Sequence, residues 1–239
     1  MAEQAKSPIK ALNATAHGNV KIKTGLNLES TANQQVLPLI VHEFAKAGSA
    51  MPVIFIKPNA ESNEFQPAAL LGLKPEENLF YSDEKWHGDY LPAVVTHHPF
   101  AMVPTPGEES RLQMLINESS PQYNEAEGDA LFEDGNETEY LTKRKESLGN
   151  YFNSMHITRE FTKALAEKDL LIEQTLTVDI NGEKVQLNGL FLVDEKKLNE
   201  MGDEEYLEMR KRGFLAPIYA HLGSLHQVNR LAKIRANAS

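Results

Sequence analysis

The run Leu-Thr-Val-Asp-Ile-Asn-Gly-Glu-Lys-Val-Gln-Leu (176–187) leaves the backbone less freedom than any other part of this chain. Leu176, Val178 and Ile180 alternate with polar residues before Asn181–Gly182, and Val185 and Leu187 alternate after it. A period of two puts the apolar residues on one face of a strand. An Asn-Gly pair supplies the two positive φ angles of a type I′ turn, whose twist matches that of the strands it joins. The stretch predicts a β-hairpin near 176–187 with one face on a core. Gly-Leu-Phe-Leu-Val-Asp (189–194) reads as a third strand against it.

Helical patterns surround the hairpin. Residues 140–148 and 154–171 read as two helices, the second carrying Ile157, Phe161, Ala164 and Leu165 on neighbouring turns. Beyond the hairpin, 194–201 begins a helix capped by Asp194, and 203–211 forms another that stops at Gly213. The pattern over 217–235 predicts a long C-terminal helix with Ile218, Leu222, Leu225, Val228 or Leu231, and Ile234 in its stripe, and Pro217 in its first turn. In the amino-terminal half, Val20, Ile22, Leu26 and Leu28 alternate like a strand broken at Gly25. Val36, Leu39, Ile40 and Phe44 fall at helical spacing and predict a first helix over 35–47, before a buried strand at 53–57. Residues 58–67 read as a loop, and 79–82, 101–103 and 111–116 as short strands.

No repeat of fixed period and no Gly/Ser linker divides the sequence. The expectation is a single α+β domain over 1–239, a mixed or antiparallel sheet packed with several helices. A flexible N-terminus to about residue 17 precedes it, and an acidic loop at about 117–139 splits it into lobes.

Acidic residues number 34 against 24 basic, for a formal charge of -10. Lys and Arg are dispersed except in 141–147 and 208–214, which argues against nucleic acid or an anionic membrane as partner. The absence of cysteine excludes disulfides, thiol nucleophiles and cysteine-ligated metals. The best apolar runs, 36–41 and 51–56, end at His42 and Lys57, far short of the ~20 residues that span a bilayer. The first residues lack the apolar core of roughly 7–15 residues found in a secretory signal, so the expected location is the cytoplasm, with leaderless export to the cell surface as the alternative.

Candidate chemistry begins at His87-Gly88-Asp89. Residues separated by one point to the same side of a strand, so an imidazole and a carboxylate there can be offered to Fe(II), with His221 as a distal third ligand. Arg230 and Arg235 follow at spacings that suit a 2-oxoglutarate carboxylate. Against this reading, a distal ligand of that kind comes from a jelly-roll strand, whereas 217–235 has helical periodicity. His97–His98 are adjacent and face opposite ways in a strand, one solvated and one toward the core; His221 and His226 are five apart, not four. Ser224 lacks the G-x-S-x-G elbow, the acidic tract does not match a calcium loop, and no phosphate-binding glycine motif is present.

Residues 51–100 string together a β-like run, ALLGL (69–73), NLF (78–80), W-x-x-x-Y-x-P-A (86–93) and a terminal Pro99–Phe100. LFEDGNETEY (131–140), GLFLVDEKKL (189–198) and GFLAPIYAHLGSL (213–225) follow. In this order the pieces resemble the SapC family of bacterial proteins over most of residues 35–235. The resemblance implies an association with bacterial surface layers and no defined reaction. It points to a non-catalytic accessory or binding protein of surface-layer or cell-envelope assembly, export or uptake. A protein, peptide or glycan of the envelope would be its partner, with no cofactor. The candidate binding residues are Trp86, Tyr90, Pro92, Phe100, Tyr219 and His221. Aromatic rings there either pack a core or line a groove where they stack on sugars or prolines. The Fe(II)/2-oxoglutarate oxygenase built on His87, Asp89 and His221 is the enzymatic alternative.

Overall fold

The computed structural model describes residues 7–59 and 61–238, and the expected flexible lead to about residue 17 lies partly outside them. In chain order, β1 (Ile9–Ala11), α1 (Ala14–His17) and β2 (Lys21–Ile22) come first, then β3 (Val36–Pro38), α2 (Phe44–Gly48), β4 (Val53–Ile56) and β5 (Gln66–Leu70). β6 (Tyr81–Ser82), β7 (Lys85–Trp86), α3 (Ala93–His97), β8 (Phe100–Thr105) and β9 (Glu108–Asn117) follow. The acidic tract holds β10 (Tyr123–Asn124), β11 (Asp129–Ala130), β12 (Phe132–Glu133) and β13 (Asn136–Glu137). The remainder is α4 (Glu139–Glu167), β14 (Leu171–Ile180), β15 (Glu183–Val193), α5 (Glu195–Asn199), α6 (Asp203–Lys211), α7 (Leu215–Ser224) and α8 (Val228–Ala238), with 3-10 turns at Val41–Glu43 and Leu225–Gln227. The class is α+β, with antiparallel sheets and a long C-terminal helical run. Among the described residues no helix is long and apolar enough to cross a membrane.

The chain forms two compact units, Met1–Asn27 with Val95–Asn153, and Leu28–Val94 with Ser154–Ser239. The acidic stretch 117–139 lies wholly inside the first, so the division falls elsewhere than the expected loop. Among its described residues that unit contains the sheets β1-β9-β8 and β10-β2-β11 and the two-stranded β12-β13. Its core gathers Val20, Ile22, Phe100, Met114, Ile116, Leu131 and Phe132 with Leu141 and Leu148 of α4. The acidic tract is anchored: Asn124 caps its own turn through Ala126 and Glu127 N–H (2.9 and 2.8 Å), and Leu131 is fully buried.

The second unit is built on a five-stranded sheet in the order β14-β15-β4-β5-β3. The hairpin takes the expected form: Asn181 and Gly182 have φ of 54° and 88°, and Ile180 faces Glu183. Residues 189–194 do not make a third strand. They continue β15 through Gly189 (φ 72°), opposite a register shift between Gln174 and Leu176. Phe44, Phe55, Phe161 and Phe214 stack edge to face beneath the sheet, with centroids 5.3–6.1 Å apart.

Two helical expectations are corrected. Over 35–47 the helix is confined to α2, because Val36–Pro38 pairs with Leu70–Ala68 as an edge strand. Pro38 disfavours helical geometry at Leu37. Leu39 N–H and Gln35 C=O face β5, which leaves the missing donor of Pro38 on the open edge, where it costs no ladder bond. The separate helices 140–148 and 154–171 are one helix, α4, which runs through Gly149. A single interior glycine weakens a helix by about 1 kcal/mol without ending it. The 217–235 helix is present as α7 and α8, joined by the turn Leu225–Gln227.

These two glycines have opposite roles, which gives a paired test. A methyl group at Gly149 meets no atom within 4 Å, so Gly149→Ala should raise stability by about 0.5–1 kcal/mol. Gly182→Ala, at its positive φ, should lower it by about 1–2 kcal/mol. Urea midpoints of the two variants should move in opposite directions; a parallel shift would contradict the turn geometry.

Candidate functional site

The W-x-x-x-Y-x-P segment packs inward, within the second unit. Trp86 on β7 is half-buried, stacks on Phe80 (5.6 Å, 24°) and donates its indole N–H to Tyr90 C=O at 2.8 Å. Pro92 is buried. Gly88 explains the spacing of His87-Gly88-Asp89: a Cβ there would come 2.7 Å from Trp86 Nε1 and 3.1 Å from the Phe80 ring. Phe100 belongs to the core of the other unit.

The residue that organises this segment is Glu43, which sequence reasoning missed. It is 4% exposed. Its Oε1 accepts from Tyr90 Oη and from Ala93 N–H, both at 2.7 Å, and its Oε2 accepts from Ile40 N–H at 2.9 Å. The Glu43 N–H donates in return to Ile40 C=O, so the acid closes its own helical turn while gripping the chain at 90–93. A buried carboxylate that accepts several hydrogen bonds avoids the desolvation cost of an unpaired one. The only visible signal was an acid set inside the apolar run 39–44.

His221 lies in the seam of the sheet and is fully buried. Its Nδ1–H donates to Val53 C=O at 2.8 Å, so Nε2 is the acceptor for Val193 N–H at 3.1 Å. Burial pulls its pKa down to about 4, against a smaller opposing effect of the Val53 carbonyl. Ser224, one turn on, donates to His221 C=O at 2.6 Å and accepts from Val53 N–H at 2.9 Å. Both ring nitrogens of His221 and the hydroxyl proton of Ser224 are engaged.

The structure therefore does not bring His87, Asp89 and His221 together. His87 is exposed and its Nε2 lies 3.0 Å from Ser82 Oγ and 3.2 Å from Ser82 C=O, while Asp89 receives two Arg230 N–H groups at 3.2 Å. Arg235, the other cation suited to an oxoacid, reaches Glu77 at 2.6 Å. Among the described residues no three His, Cys, Asp or Glu side chains are grouped to hold a metal. His97 and His98, in the other unit, do not alternate in a strand. His97 ends α3, buried against Tyr151, and burial and Arg144 lower its pKa; the half-buried His98 meets Ser120 Oγ at 2.9 Å, and burial lowers its pKa.

Tyr219 is the one candidate left at the surface, 46% exposed. Its hydroxyl lies 3.2 Å from that of Tyr206 on α6, a contact that raises its pKa above the usual phenol value. Leu207 beside Tyr206 is 45% exposed. A separate groove of about 560 Å³ between the end of α4 and α5–α6 is charged, with Lys168 held by Glu205 and Arg212 by Glu208.

A family model described as SapC matches residues 12–231. The chain belongs to the SapC family. No curated protein and no solved structure matches it. Two of the segments that carry the SapC resemblance are anchored within the second unit: 86–93 by Glu43, and 213–225 through His221 and Ser224 to β4 and β15.

Glu43→Gln keeps the shape but replaces one accepting oxygen by a donor, and should cost about 2–3 kcal/mol. Tyr90→Phe should cost about 1 kcal/mol, and the double variant less than the sum. Urea midpoints check this; strictly additive costs would mean that the Tyr90–Glu43 bond does not hold the segment.

Proposed function

We propose that this SapC-family protein is a non-catalytic accessory or binding protein of the bacterial cell envelope. It acts in surface-layer or envelope assembly, export or uptake, from the cytoplasmic side or at the cell surface. It works by recognition of an envelope protein, peptide or glycan. The supporting observation is α7, whose sequence LAPIYAHLGS carries no Asp, Glu, Lys or Arg yet leaves Tyr219 46% exposed. A helix with apolar residues on all sides is ordinarily covered on all sides. Tyr219 and Tyr206 of α6 form a paired-phenol surface of the kind that stacks on sugars or packs against protein, and Leu207 adds exposed apolar area on α6. His221 fixes the opposite face of α7 to β4 and β15.

The test is co-sedimentation of the purified protein with envelope fragments of the source bacterium at moderate salt. Wild type should be retained, and Leu207→Ser/Tyr219→Ser should lose about tenfold in affinity, roughly 1.4 kcal/mol, with unchanged melting temperature. Retention that survives protease treatment of the fragments would assign a glycan, and loss would assign a protein or peptide. Absence of wild-type retention, or equal retention of the variant, would overturn the proposal.

A further inference from the structure

β15 is joined to β4 through a single register pair, Phe191 with Phe55. Continuing the antiparallel register by two residues on each strand sets Val193 opposite Val53. Leu70 N–H bonds to Pro52 C=O, which turns the polar groups of Val53 to the opposite edge, toward β15. The direct rung expected there is absent. Instead the His221 ring is inserted between the strands, receiving the Val193 N–H on Nε2 (3.1 Å) and passing Nδ1–H to Val53 C=O (2.8 Å). Beyond this point the hairpin β14–β15 pairs only with itself, and α8 packs on β14. Among the described residues, the main-chain link from the β14–β15 arm to the remaining three strands is thus one register pair and one imidazole, with Phe191 also packed on Phe65 at 5.0 Å and α7 against β15.

We propose that this seam is an acid-labile hinge: a proton on His221 Nε2 removes the acceptor for Val193 N–H and frees the β14–β15 arm from β4. A protonated ring has two donors and no acceptor, so Val193 N–H and Nε2–H would face one another in a buried site. The charged groups on the elements packed against α7 offer the ring no compensation. Lys46 on α2 is exposed, Glu43 is filled by its three donors, and the Asp194 carboxylate after β15 accepts from Lys197 N–H. At the far end of β4, Lys57 lies over the Phe65 and Phe191 rings, and Glu183 and Lys184 sit at the hairpin turn. Phe55 covers one side of the ring at 5.0 Å. The sign follows: the closed seam keeps the ring neutral down to about pH 4, whereas an opened seam restores the ordinary value of 6.5. Only the open form gains a proton in between, so the closed form is favoured above pH 6.5 and loses ground as pH falls toward 4.

Amide hydrogen exchange tests the hinge on the intact chain. After correction for intrinsic rates, the protection of Val193 should drop roughly twentyfold between pH 7 and pH 5. Val178 and Val185 within the hairpin, and Leu70, whose N–H bonds to Pro52 C=O on the β4–β5 side, should keep their protection. His221→Gln can span the same gap with an amide donor and acceptor and cannot titrate, so its Val193 protection should be flat over this range. Should that variant fail to fold, wild type alone decides by whether the loss is confined to the seam. An unchanged Val193, a uniform loss across the sheet, or an equal loss in a folded His221→Gln would each overturn the proposal. The outcome is independent of whether the α6–α7 face binds an envelope partner.

Discussion

The peptide groups of Val53 impose the constraint on which the second unit depends. β4 is buried along Val53, Ile54 and Phe55, so any polar backbone atom it leaves unpaired carries a desolvation cost of about 1–3 kcal/mol. β5 covers one edge, and β15 reaches the other only at Phe55. α7 supplies what the sheet does not: Ser224 Oγ takes the Val53 N–H and His221 Nδ1 fills its carbonyl. His221 and Ser224 are three residues apart, on one face of a helix, with Ile218 another turn back and equally buried. Once that face is fixed, Ala216, Tyr219 and Gly223 are the face that remains outside.

Glu43 plays the equivalent part for the chain at 86–93. Its two oxygens hold donors from three places, Ile40, Tyr90 and Ala93, so a turn before α2 and an irregular segment some fifty residues later share one anchor. Trp86 then closes the segment on itself through Tyr90 C=O. Irregular backbone can be buried only if its donors and acceptors are met, and here a carboxylate meets them where no strand runs.

How much of this was legible depended on whether the deciding interaction was local. Asn181–Gly182 specifies its turn from two adjacent residues, and the Asp194 cap and the stop at Gly213 are read the same way. The 35–47 stretch misled because apolar residues at helical spacing also suit an edge strand followed by a tight turn, and Pro38 was the residue that should have decided between them. The helices expected separately at 140–148 and 154–171 are continuous in α4 because both halves are packed, with Leu141 and Leu148 buried in one unit and Phe161 and Leu165 in the other. Which backbone groups Glu43 and His221 serve was not legible. Their partners lie up to 168 residues away, and nothing in the identity of Val53 or Ala93 announces that its backbone needs a side chain.

The same saturation bears on what the molecule can do. A catalytic group needs a lone pair or a proton left over for its substrate, whereas an architectural group needs none. His221 has both nitrogens engaged, Ser224 both donates and accepts, Glu43 holds three donors, and Asp89 faces Arg230. His221, Ser224 and Glu43 thus hold the sheet, α7 and the 86–93 segment in register. Unspent capacity lies at the surface, in the paired phenols of Tyr206 and Tyr219 beside Leu207. In the binding role proposed above, the Tyr206–Tyr219 pair would add stacking contacts to the long-range field of a chain of net charge -10.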